Sequence, residues 1–469
     1  MLNDQDGAGP VRDETTPEPR GRRRSTREQR AWYVYDWANS AYVTTTGTVL
    51  FTPYLSSIAE KAACPGLAQG EVCRQTLSVL GIPVAPGALA FYVVTVSTIL
   101  SAVLLPVVGA VADRTAHRTQ LMGAFAWFGS AAAAAMFFVT GTNWQLGAAL
   151  QFVANICLGA SLVVYEAIMV SISGPDERDR VSSRGWALGY LGGGLLLAAN
   201  LAVVTGHDRL GLTQAEAIRV SLLSAGLWWA VFTLVPVLGI RNRPPLHRVP
   251  VSGGLVAAAF GQLAATLRHA RGYPQTLLFL LAYLFFNDGI QTVIASSSLY
   301  GQAELGFATG QLIMTILLVQ FVAFGGALLF GRLAALVGAW RTVLGGLVLW
   351  TLVVTAGFLL PAGRLGLFLA LAVAIGIVLG GTQALSRSLY SQMLPRGHEA
   401  EYFSLYQAAE RGTSWFGTLL FGLVFQLTGS YRPAILSLIV FFVVGGGLLL
   451  RVDVRRGIAD AGNPQPRLV

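Results

Sequence analysis

The sequence predicts an all-α integral membrane protein, with twelve transmembrane helices in two pseudo-symmetric halves of six. The first observation is composition: 54% of the 469 residues are hydrophobic and only 12% are charged, against about 25% charged residues in a soluble domain. The second is a mean hydropathy of +0.60, concentrated in repeated runs of about 20 apolar residues. The third is a set of short motifs that recur in the same order in both halves. A bilayer is therefore the expected solvent.

Twelve apolar runs are long enough to cross hydrocarbon as helices. They cover residues 32–58, 88–111, 119–140, 145–172, 185–204, 219–240, 274–296, 310–331, 341–360, 364–386, 402–427 and 432–450. The preceding residues 1–31 are polar and rich in arginine, which predicts a disordered basic tail. The first run is too long for the core of a signal peptide, so no cleaved leader is expected.

The placement of basic residues predicts the orientation of the helices. If both termini lie on the inner side, 25 of the 32 Lys and Arg residues fall in inner segments, and cytoplasmic loops carry such an excess. We therefore expect a multi-pass protein of the plasma membrane with both termini cytoplasmic, including a tail at 451–469. The net charge of +9 then follows from topology, and no nucleic-acid partner is predicted. The bilayer is the expected partner, and the chain is expected to be a monomer.

The longest inner loop, residues 241–273, separates a first half at 32–240 from a second half at 274–450. The tyrosine and asparagine of YDWAN in the first run recur in YLFFN of the seventh run. Parallel repeats of this kind bracket a substrate site near the middle of the bilayer.

Within this linker, Phe260, Leu263 and Leu267 fall on one helical face and are followed by Arg268 and His269. An apolar face beside cationic side chains is typical of a helix that lies on a membrane surface. The linker is therefore expected to carry a short surface helix.

Charged residues within the spans indicate function, because an ionised side chain at the bilayer centre costs roughly 2.5–3.5 kcal/mol on insertion scales. Helical spacing places amides beside them on the same faces. The candidate residues for a substrate and proton pathway are Asp36, Asn39, Glu166, Asn287, Asp288, Gln291, Gln383, Arg387, Glu410 and Arg411. Polar faces on several helices are satisfied together only around a shared, water-accessible interior. The carboxylates are the candidate proton carriers, and sodium coupling stays open.

Two of these assignments have structural alternatives. Asp36 could instead cap or anchor the first helix near the inner surface. Glu166 and Arg387 are expected to pair across the halves, in an ion pair that either stays fixed or breaks as the halves move. Arg387 and Arg411 favour an anionic or carboxylate-bearing solute by charge alone.

The loop after the second run reads GAVADRTAHRTQ and carries a candidate conformational latch. Gly109 permits close helix approach, and Asp113 is expected to accept backbone N–H bonds at the start of the third helix, where the helix dipole favours an anion. Arg114 and Arg118 are expected to reach other helix ends. The spacing resembles the signature loop of the major facilitator superfamily, G-x-x-x-D-[RK]-x-G-[RK]-[RK], with Ala116 in place of the second glycine.

The cysteines and histidines predict no cofactor. Cys64 and Cys73 fall in the first outer loop, and the sequence leaves open whether they form a disulfide or stay free thiols. Cys157 is expected to pack as a small residue. No Cys/His cluster has the spacing of zinc ligands, so no metal site is predicted.

Segments spread over nearly the whole membrane region resemble one family within that superfamily, the bacterial transporters grouped with fungal autophagy-related vacuolar amino acid effluxers. They read YDWANSAY, GAVADR, SRGWALGYLGGGLLL, FFNDGIQTV and GGTQALSRSLYSQMLPRGHEAEYFSLY. The resemblance implies a major facilitator fold and transport of a small solute such as an amino acid. The residues that fall in the matching motifs are Asp36, Asn39, Asn287, Asp288, Gln291, Gln383, Arg387 and Glu401.

We therefore expect a secondary active transporter, not an enzyme, that moves a small solute by rocker-type alternating access. The alternative is a membrane enzyme or receptor-like scaffold that moves nothing. An enzyme would need a nucleophile–base pair or metal ligands, whereas all five histidines fall in predicted loops. The sequence has no P-loop motif, so nucleotide-driven pumping is not expected.

Overall fold

The chain is almost entirely helical in the computed structural model, which describes residues 25–66, 73–79, 81–245, 264–412 and 414–469. The helices before the linker are α1 (Arg27–Tyr42), α2 (Phe51–Ala63), α3 (Leu89–Arg114), α4 (Arg118–Ala135), α5 (Trp144–Ile172), α6 (Arg178–Thr205) and α7 (Gln214–Gly239). The linker contributes α8 at 264–270. The helices after it are α9 (Pro274–Ala303), α10 (Thr309–Val337), α11 (Ala339–Leu359), α12 (Leu365–Gln392), α13 (Glu399–Gly412), α14 (Ser414–Thr428), α15 (Tyr431–Ser437), α16 (Ile439–Leu450) and α17 (Val454–Asp460).

Ten helical segments within the described residues are long and apolar enough to cross a membrane. They match ten of the twelve predicted runs. The other two runs are helical but segmented: 32–58 comprises α1, a π-helical stretch at Val43–Leu50 and α2, and 402–427 comprises α13 and α14 on either side of residue 413. The protein is an all-α integral membrane protein, and the count of twelve spans stays a prediction.

The first helix begins earlier than predicted. Thr26 accepts a hydrogen bond from the backbone of Gln29, whose side chain accepts one from the Thr26 backbone, so that a capping box starts α1 at Arg27. Residues 27–31 are therefore helical, and their assignment to a disordered tail is wrong. Residues 1–24 lie outside the described residues.

The linker helix α8 contains Leu267, one of the three residues predicted on its apolar face. The other two, Phe260 and Leu263, lie outside the described residues. The division of the chain at 241–273 stays a prediction, and "first half" and "second half" denote here the chain before and after the linker.

The loop between α2 and α3 contains the two strands of the described chain, which the apolar pattern did not predict. Strands β1 (Leu77–Val79) and β2 (Ile82–Val84) form an antiparallel hairpin in which Leu77 faces Val84. A disulfide joins Cys64 to Cys73 just before the hairpin. Of the two alternatives that the sequence left open, this structure contains the disulfide.

Apolar side chains cover much of the outer surface of the bundle. Phe91 and Ile99 on α3, Leu238 on α7 and Leu336 on α10 are among many large apolar side chains that are exposed. Such a surface is expected in contact with lipid, because helices satisfy their own backbone groups there. Inside, the halves pack directly on each other, with α3 against α13 and α6 against α10 and α12.

The segment after α16 is folded onto the bundle. Asp453 accepts a hydrogen bond from the Arg456 backbone and caps α17. Asn463 Nδ2 then donates to the carbonyls of Gln392 and Leu394 at 2.9 and 2.7 Å. The predicted tail is therefore an ordered part of the second half.

Candidate functional site

The two halves meet at one end of the bundle, called here the linker end. This end carries the starts of α1 and α9, the loops that precede α4, α6, α11 and α13, and the linker. The hydrogen bonds and ion pairs between the halves, within the described chain, extend from this end to mid-helix. One of them, from Gln320 Nε2 to Thr44 Oγ1 at 3.1 Å, joins the middle of α10 to the start of the π-helical stretch that follows α1. The linker end is therefore closed in this conformation.

A buried ion pair joins the halves. Arg387 Nη2 on α12 donates to Asp36 Oδ2 on α1 at 3.1 Å, and the two side chains are 2% and 9% exposed. Arg387 Nε also donates to Ser182 Oγ at 2.9 Å and Nη2 to Ser182 O at 3.1 Å. Asp36 stands nine residues after the start of α1, roughly 13 Å along the helix axis. Asp36 is therefore a buried partner of the second half and does not cap α1, which Thr26 does.

Three aromatic rings of the first half surround the Arg387 guanidinium and form what we call the aromatic socket. The guanidinium carbon lies 5.0 Å from the ring centroid of Trp32, 5.7 Å from that of Tyr165 and 5.3 Å from that of Trp186. Trp32 and Tyr165 stack on each other at 4.2 Å. Desolvated cation–π contacts contribute about 2 kcal/mol. An arginine of the second half is thus held by charge and by aromatic faces of the first.

A second polar network crosses between the halves through one amide. Gln407 Nε2 on α13 donates to Glu166 Oε1 on α5 at 3.0 Å and to Glu410 Oε2 at 3.3 Å. Gln407 Oε1 accepts from Arg411 Nε at 3.0 Å. The second oxygen of Glu166, Oε2, is buried and has no hydrogen-bond partner in the described chain. Two carboxylates from different halves therefore share one donor, and they repel each other when both are ionised.

A third polar group lies within the second half. Asn287 Oδ1 accepts from Gln383 Nε2 at 2.8 Å, and Asn287 Nδ2 donates to the Glu410 carbonyl at 3.2 Å. Asp288 Oδ2 accepts from the Gly417 backbone at 2.8 Å. Asp288 Oδ1 is buried without a hydrogen-bond partner among the residues described. Asn287 and Gln383 therefore adjoin the Glu410 network, whereas Asp288 holds the start of α14.

The two remaining amides of the predicted pathway stand apart. Asn39 Nδ2 donates to the Tyr35 carbonyl of its own helix at 2.6 Å. Gln291 is half-buried one turn after Asn287. The structure thus brings together the charged residues of α1, α5, α12 and α13, and it leaves Asn39 in a local helical contact.

One predicted pairing is wrong, and several partners were missed. Arg387 pairs with Asp36, whereas Glu166 receives its hydrogen bond from Gln407. Helical spacing predicts which residues share a face, but it does not predict which helix that face meets. Ser182 was missed although it directly precedes the motif SRGWALGYLGGGLLL. Gln407 was missed although it lies three residues before Glu410, a spacing that places both side chains on one helical face and could have found it.

The predicted latch connects the halves, but Asp113 contacts a different helix from the one expected. Its two carboxylate oxygens accept from the backbone N–H groups of Ala400 and Glu401 at 3.1 and 2.9 Å, at the start of α13. The predicted contact with the start of the third helix is therefore wrong, since α4 contributes instead the Arg118 side chain, 2.9 Å from Asp113. Arg114 lies 3.8 Å from Glu401. The carboxylate thus caps a helix of the opposite half, where the dipole favours an anion.

Gly109 lets this contact form. A Cβ at this position would lie 2.5 Å from the Ala400 carbonyl oxygen. The obstacle is backbone, which cannot rotate away as a side chain could. The close approach of α3 and α13 therefore depends on the absence of a side chain there.

Two histidines lie beside the latch. His398 Nδ1 is 3.3 Å from Glu401 Oε2, and this hydrogen bond raises the pKa of His398 above its ordinary value of 6.5; the Asp113 and Glu399 charges act in the same direction and burial opposes them. His269 of α8 lies 4.9 Å from the His398 ring. Burial and the His398 charge lower the pKa of His269, which also contacts the Tyr402 hydroxyl at 3.2 Å.

These features define a class of protein. Two helical halves with a lipid-facing apolar surface close at one end around a buried polar centre, which is the arrangement of a membrane transporter that alternates between two openings.

Comparisons with known proteins identify the family. The model of the family described as "Vacuole effluxer Atg22 like" matches residues 24–176 and 170–462. The uncharacterized MFS-type transporter YxiO of Bacillus subtilis (strain 168) is 30% identical over 431 residues, which cover 90% of this chain and 94% of that protein. Autophagy-related protein 22-1 of Penicillium rubens is 25% identical over 550 residues, which cover 93% of this chain and 91% of that protein.

Solved structures agree on the fold. A bacterial homologue of the iron transporter ferroportin in its outward-facing state superimposes with a TM-score of 0.62 at 14% identity, over 91% of this chain and 98% of that one. The human organic anion transporter MFSD10 (TETRAN) superimposes with a TM-score of 0.64 at 16% identity, over 90% of this chain and 99% of that one. The chain belongs to the Atg22-like family of major facilitator transporters. It is a multi-pass transporter and not an enzyme.

We predict that Gly109→Ala opens the linker end. The added methyl group overpacks the contact between α3 and α13, at a cost of about 1–3 kcal/mol. This cost destabilises only the closed state, in which the two helices touch. A cysteine introduced at Ser388, buried between the halves, is then expected to react at least fivefold faster with a maleimide. Gly345→Ala is the matched control, because a Cβ there meets nothing within 4 Å. Equal labelling rates in both variants would contradict the latch.

We predict that the His398–Glu401 contact makes stability depend on pH. Because folding raises the pKa of His398, its contribution is fully present below about pH 6.5 and is lost as the pH rises through the raised value. His398→Gln should lower the melting temperature at pH 6, and it should lower it much less at pH 8. The expected loss in the free energy of unfolding at pH 6 is roughly 0.2–1 kcal/mol.

We predict that the neighbouring His269 makes stability depend on pH in the opposite direction. Folding lowers the pKa of His269, so protonation at low pH opposes the fold, and His269→Gln should stabilise the protein at pH 6. His117→Gln, at an exposed loop position of the same end, is the control. A His398 variant whose melting temperature runs parallel to wild type across this pH range would refute the assignment.

Proposed function

We propose that this transporter is secondary active and moves a small solute that bears an amino and a carboxylate group across the plasma membrane, by rocker-type alternating access coupled to protons. The observation that carries the proposal is the buried Asp36–Arg387 ion pair between the halves, beside the network in which Gln407 joins Glu166 to Glu410. Charged groups from both halves are thereby placed where a rocking motion must separate them.

Opening of the linker end requires Arg387 to leave Asp36 and the aromatic socket. Removing one partner of a buried ion pair costs about 3–5 kcal/mol, because the other charge is left uncompensated. Water, a solute or a proton that reaches the separated groups lowers this cost. The same event separates Glu166 from Gln407, since these residues also belong to different halves.

The charges of the buried centre favour a proton or an amine. Its carboxylates are Asp36, Glu166 and Glu410, and its guanidinium groups are those of Arg387 and Arg411. With all five ionised, the centre carries one excess negative charge in a low-dielectric interior, where such a charge is costly. A proton on Glu166 or Glu410, or the ammonium group of a bound solute, would balance it.

The carboxylate preference rests on Arg411. Arg387 is already matched by Asp36, whereas the one described hydrogen bond of the Arg411 side chain is to the neutral amide of Gln407. A solute with a carboxylate for Arg411 and an ammonium group for Glu166 and Glu410 fits this pattern. The family to which the chain belongs is described as a vacuole effluxer family, which is compatible with a small solute.

The proposed orientation rests on charge. Arg114, Arg178, Arg243 and Arg396 belong to loops or helix termini of the linker end, and an excess of such residues favours the cytoplasmic side. With that orientation both termini are cytoplasmic, and the linker end, which is closed in this conformation, is the cytoplasmic end.

The test is uptake into proteoliposomes. The purified chain is reconstituted and supplied with labelled amino acids under an imposed pH gradient, and separately under a sodium gradient. Uptake of at least one amino acid that follows the pH gradient is the expected result. Uptake that follows the sodium gradient alone would show that sodium, and not the proton, is the coupling ion. Absence of uptake for every solute with an amino and a carboxylate group would overturn the proposed solute class.

Variants assign the proton carrier. We predict that Glu166→Gln lowers uptake driven by the pH gradient at least tenfold but leaves solute exchange at equal pH, because glutamine keeps the shape and not the titrating group. Glu60→Gln, on α2 at the opposite end, is the control. If Asp288→Asn shows this loss of driven uptake and Glu166→Gln does not, Asp288 is the carrier.

A further inference from the structure

A cavity of about 370 Å³ lies at the linker end, apart from the buried centre. It lies between the halves, because α4, α6 and the start of the linker form one part of its wall and the 394–399 segment forms another. Asn463 and Pro464, after α17, complete the wall. The arginines that line it are Arg118, Arg178, Arg241, Arg243 and Arg396, and its acidic residue is Glu399.

Arg178 is the buried cation of this cavity. It is 6% exposed, and its Nη1 donates to the Ser391 carbonyl at 2.7 Å and to Gln392 Oε1 at 3.2 Å. Its Nε is buried without a hydrogen-bond partner, and no carboxylate within the described chain lies in salt-bridge distance of it. A guanidinium so far removed from water is costly without a counter-charge. Within the described chain, Arg178 therefore has no carboxylate paired with it.

The other arginines add to this excess. Arg118 is shared between Asp113 and Glu399, and Arg243 pairs with Glu28. Arg396 donates from Nε to the neutral Asn463 side chain at 3.3 Å, and it forms no ion pair with another described residue, as is also true of Arg241. Among the residues that the structure describes, three of the five guanidinium groups thus form no ion pair with a carboxylate.

We propose that this cavity binds a phosphate-bearing anion. Guanidinium groups bind phosphate oxygens in bidentate fashion. A phosphate presents acceptor oxygens in several directions and so can satisfy donors that converge from different walls, as a planar carboxylate cannot. The phosphate belongs either to a soluble compound, such as a diphosphate, or to the headgroup of an anionic phospholipid.

The bound anion would act on conformation. Arg178 belongs to the first half and Arg396 to the second, so the ligand bridges two parts that separate when the linker end opens. It would therefore stabilise the closed linker end. This inference is independent of the proposed solute and proton coupling, since none of the cavity residues belongs to the buried centre.

The experiment measures binding by thermal stability. The full chain in a neutral detergent is titrated with sodium pyrophosphate at constant ionic strength, with sodium chloride as the salt control. A saturable rise in melting temperature is expected, and the Arg241→Gln/Arg396→Gln double variant should require at least tenfold more pyrophosphate. Both side chains are exposed, so the variant is expected to fold, which its melting temperature without ligand checks.

A matched control and a lipid arm complete the test. Arg341→Gln removes an exposed arginine that lines no part of the cavity, and it should leave the titration unchanged. A short-chain phosphatidic acid is compared with the matching phosphatidylcholine. Stabilisation by the acid alone, weakened in the double variant, assigns the site to a lipid headgroup. Equal shifts in wild type and double variant, or no shift with either probe, would overturn the site.

Discussion

A guanidinium group in a low-dielectric interior requires an anion, and Arg387 finds that anion in the other half of the molecule. This requirement organises the centre of the structure. The backbone of α6 must pass close enough for Ser182 to accept two hydrogen bonds from Arg387. Gly185 leaves the necessary space, because a Cβ there would lie 2.5 Å from Asp36 Oδ2 and 3.1 Å from Arg387 Nη2. The polar and aromatic residues around the pair thus belong to one arrangement that is possible only while the halves are closed together.

Closure is distributed over three levels. The ion pair in its aromatic socket lies deepest, the Asp113 contact with the start of α13 lies nearer the surface, and the arginine-lined cavity lies at the linker end. The first two levels join the halves by a desolvated charge pair and by a helix cap, and the third would join them through the anion proposed for the arginine-lined cavity. The levels therefore respond to different ligands, and a change at one of them shifts the same equilibrium as a change at another.

The fold follows from the sequence more directly than the site does. Apolar runs and short motifs are properties of single segments, and they predicted the membrane helices and the class of protein. The site depends on which helices face one another. That information is absent from helical periodicity, so Arg387 was assigned to Glu166 and not to Asp36, and Asp113 to α4 and not to α13. Gln407 was overlooked although it lies three residues before Glu410 on the same helical face, and in the structure it connects Glu166 to Glu410.

The π-helical stretch at Val43–Leu50 separates α1 from α2 within the first predicted run. Each turn of a π-helix contains more residues than a turn of an α-helix. If this stretch rewound to α-helical geometry, α2 would turn about its own axis relative to α1, and its side chains would face different neighbours. Thr44, bonded to Gln320 across the halves, sits at the start of this stretch. The segment from α1 to α2 can thereby twist about its own axis, a motion that tilting of straight, rigid helices does not include.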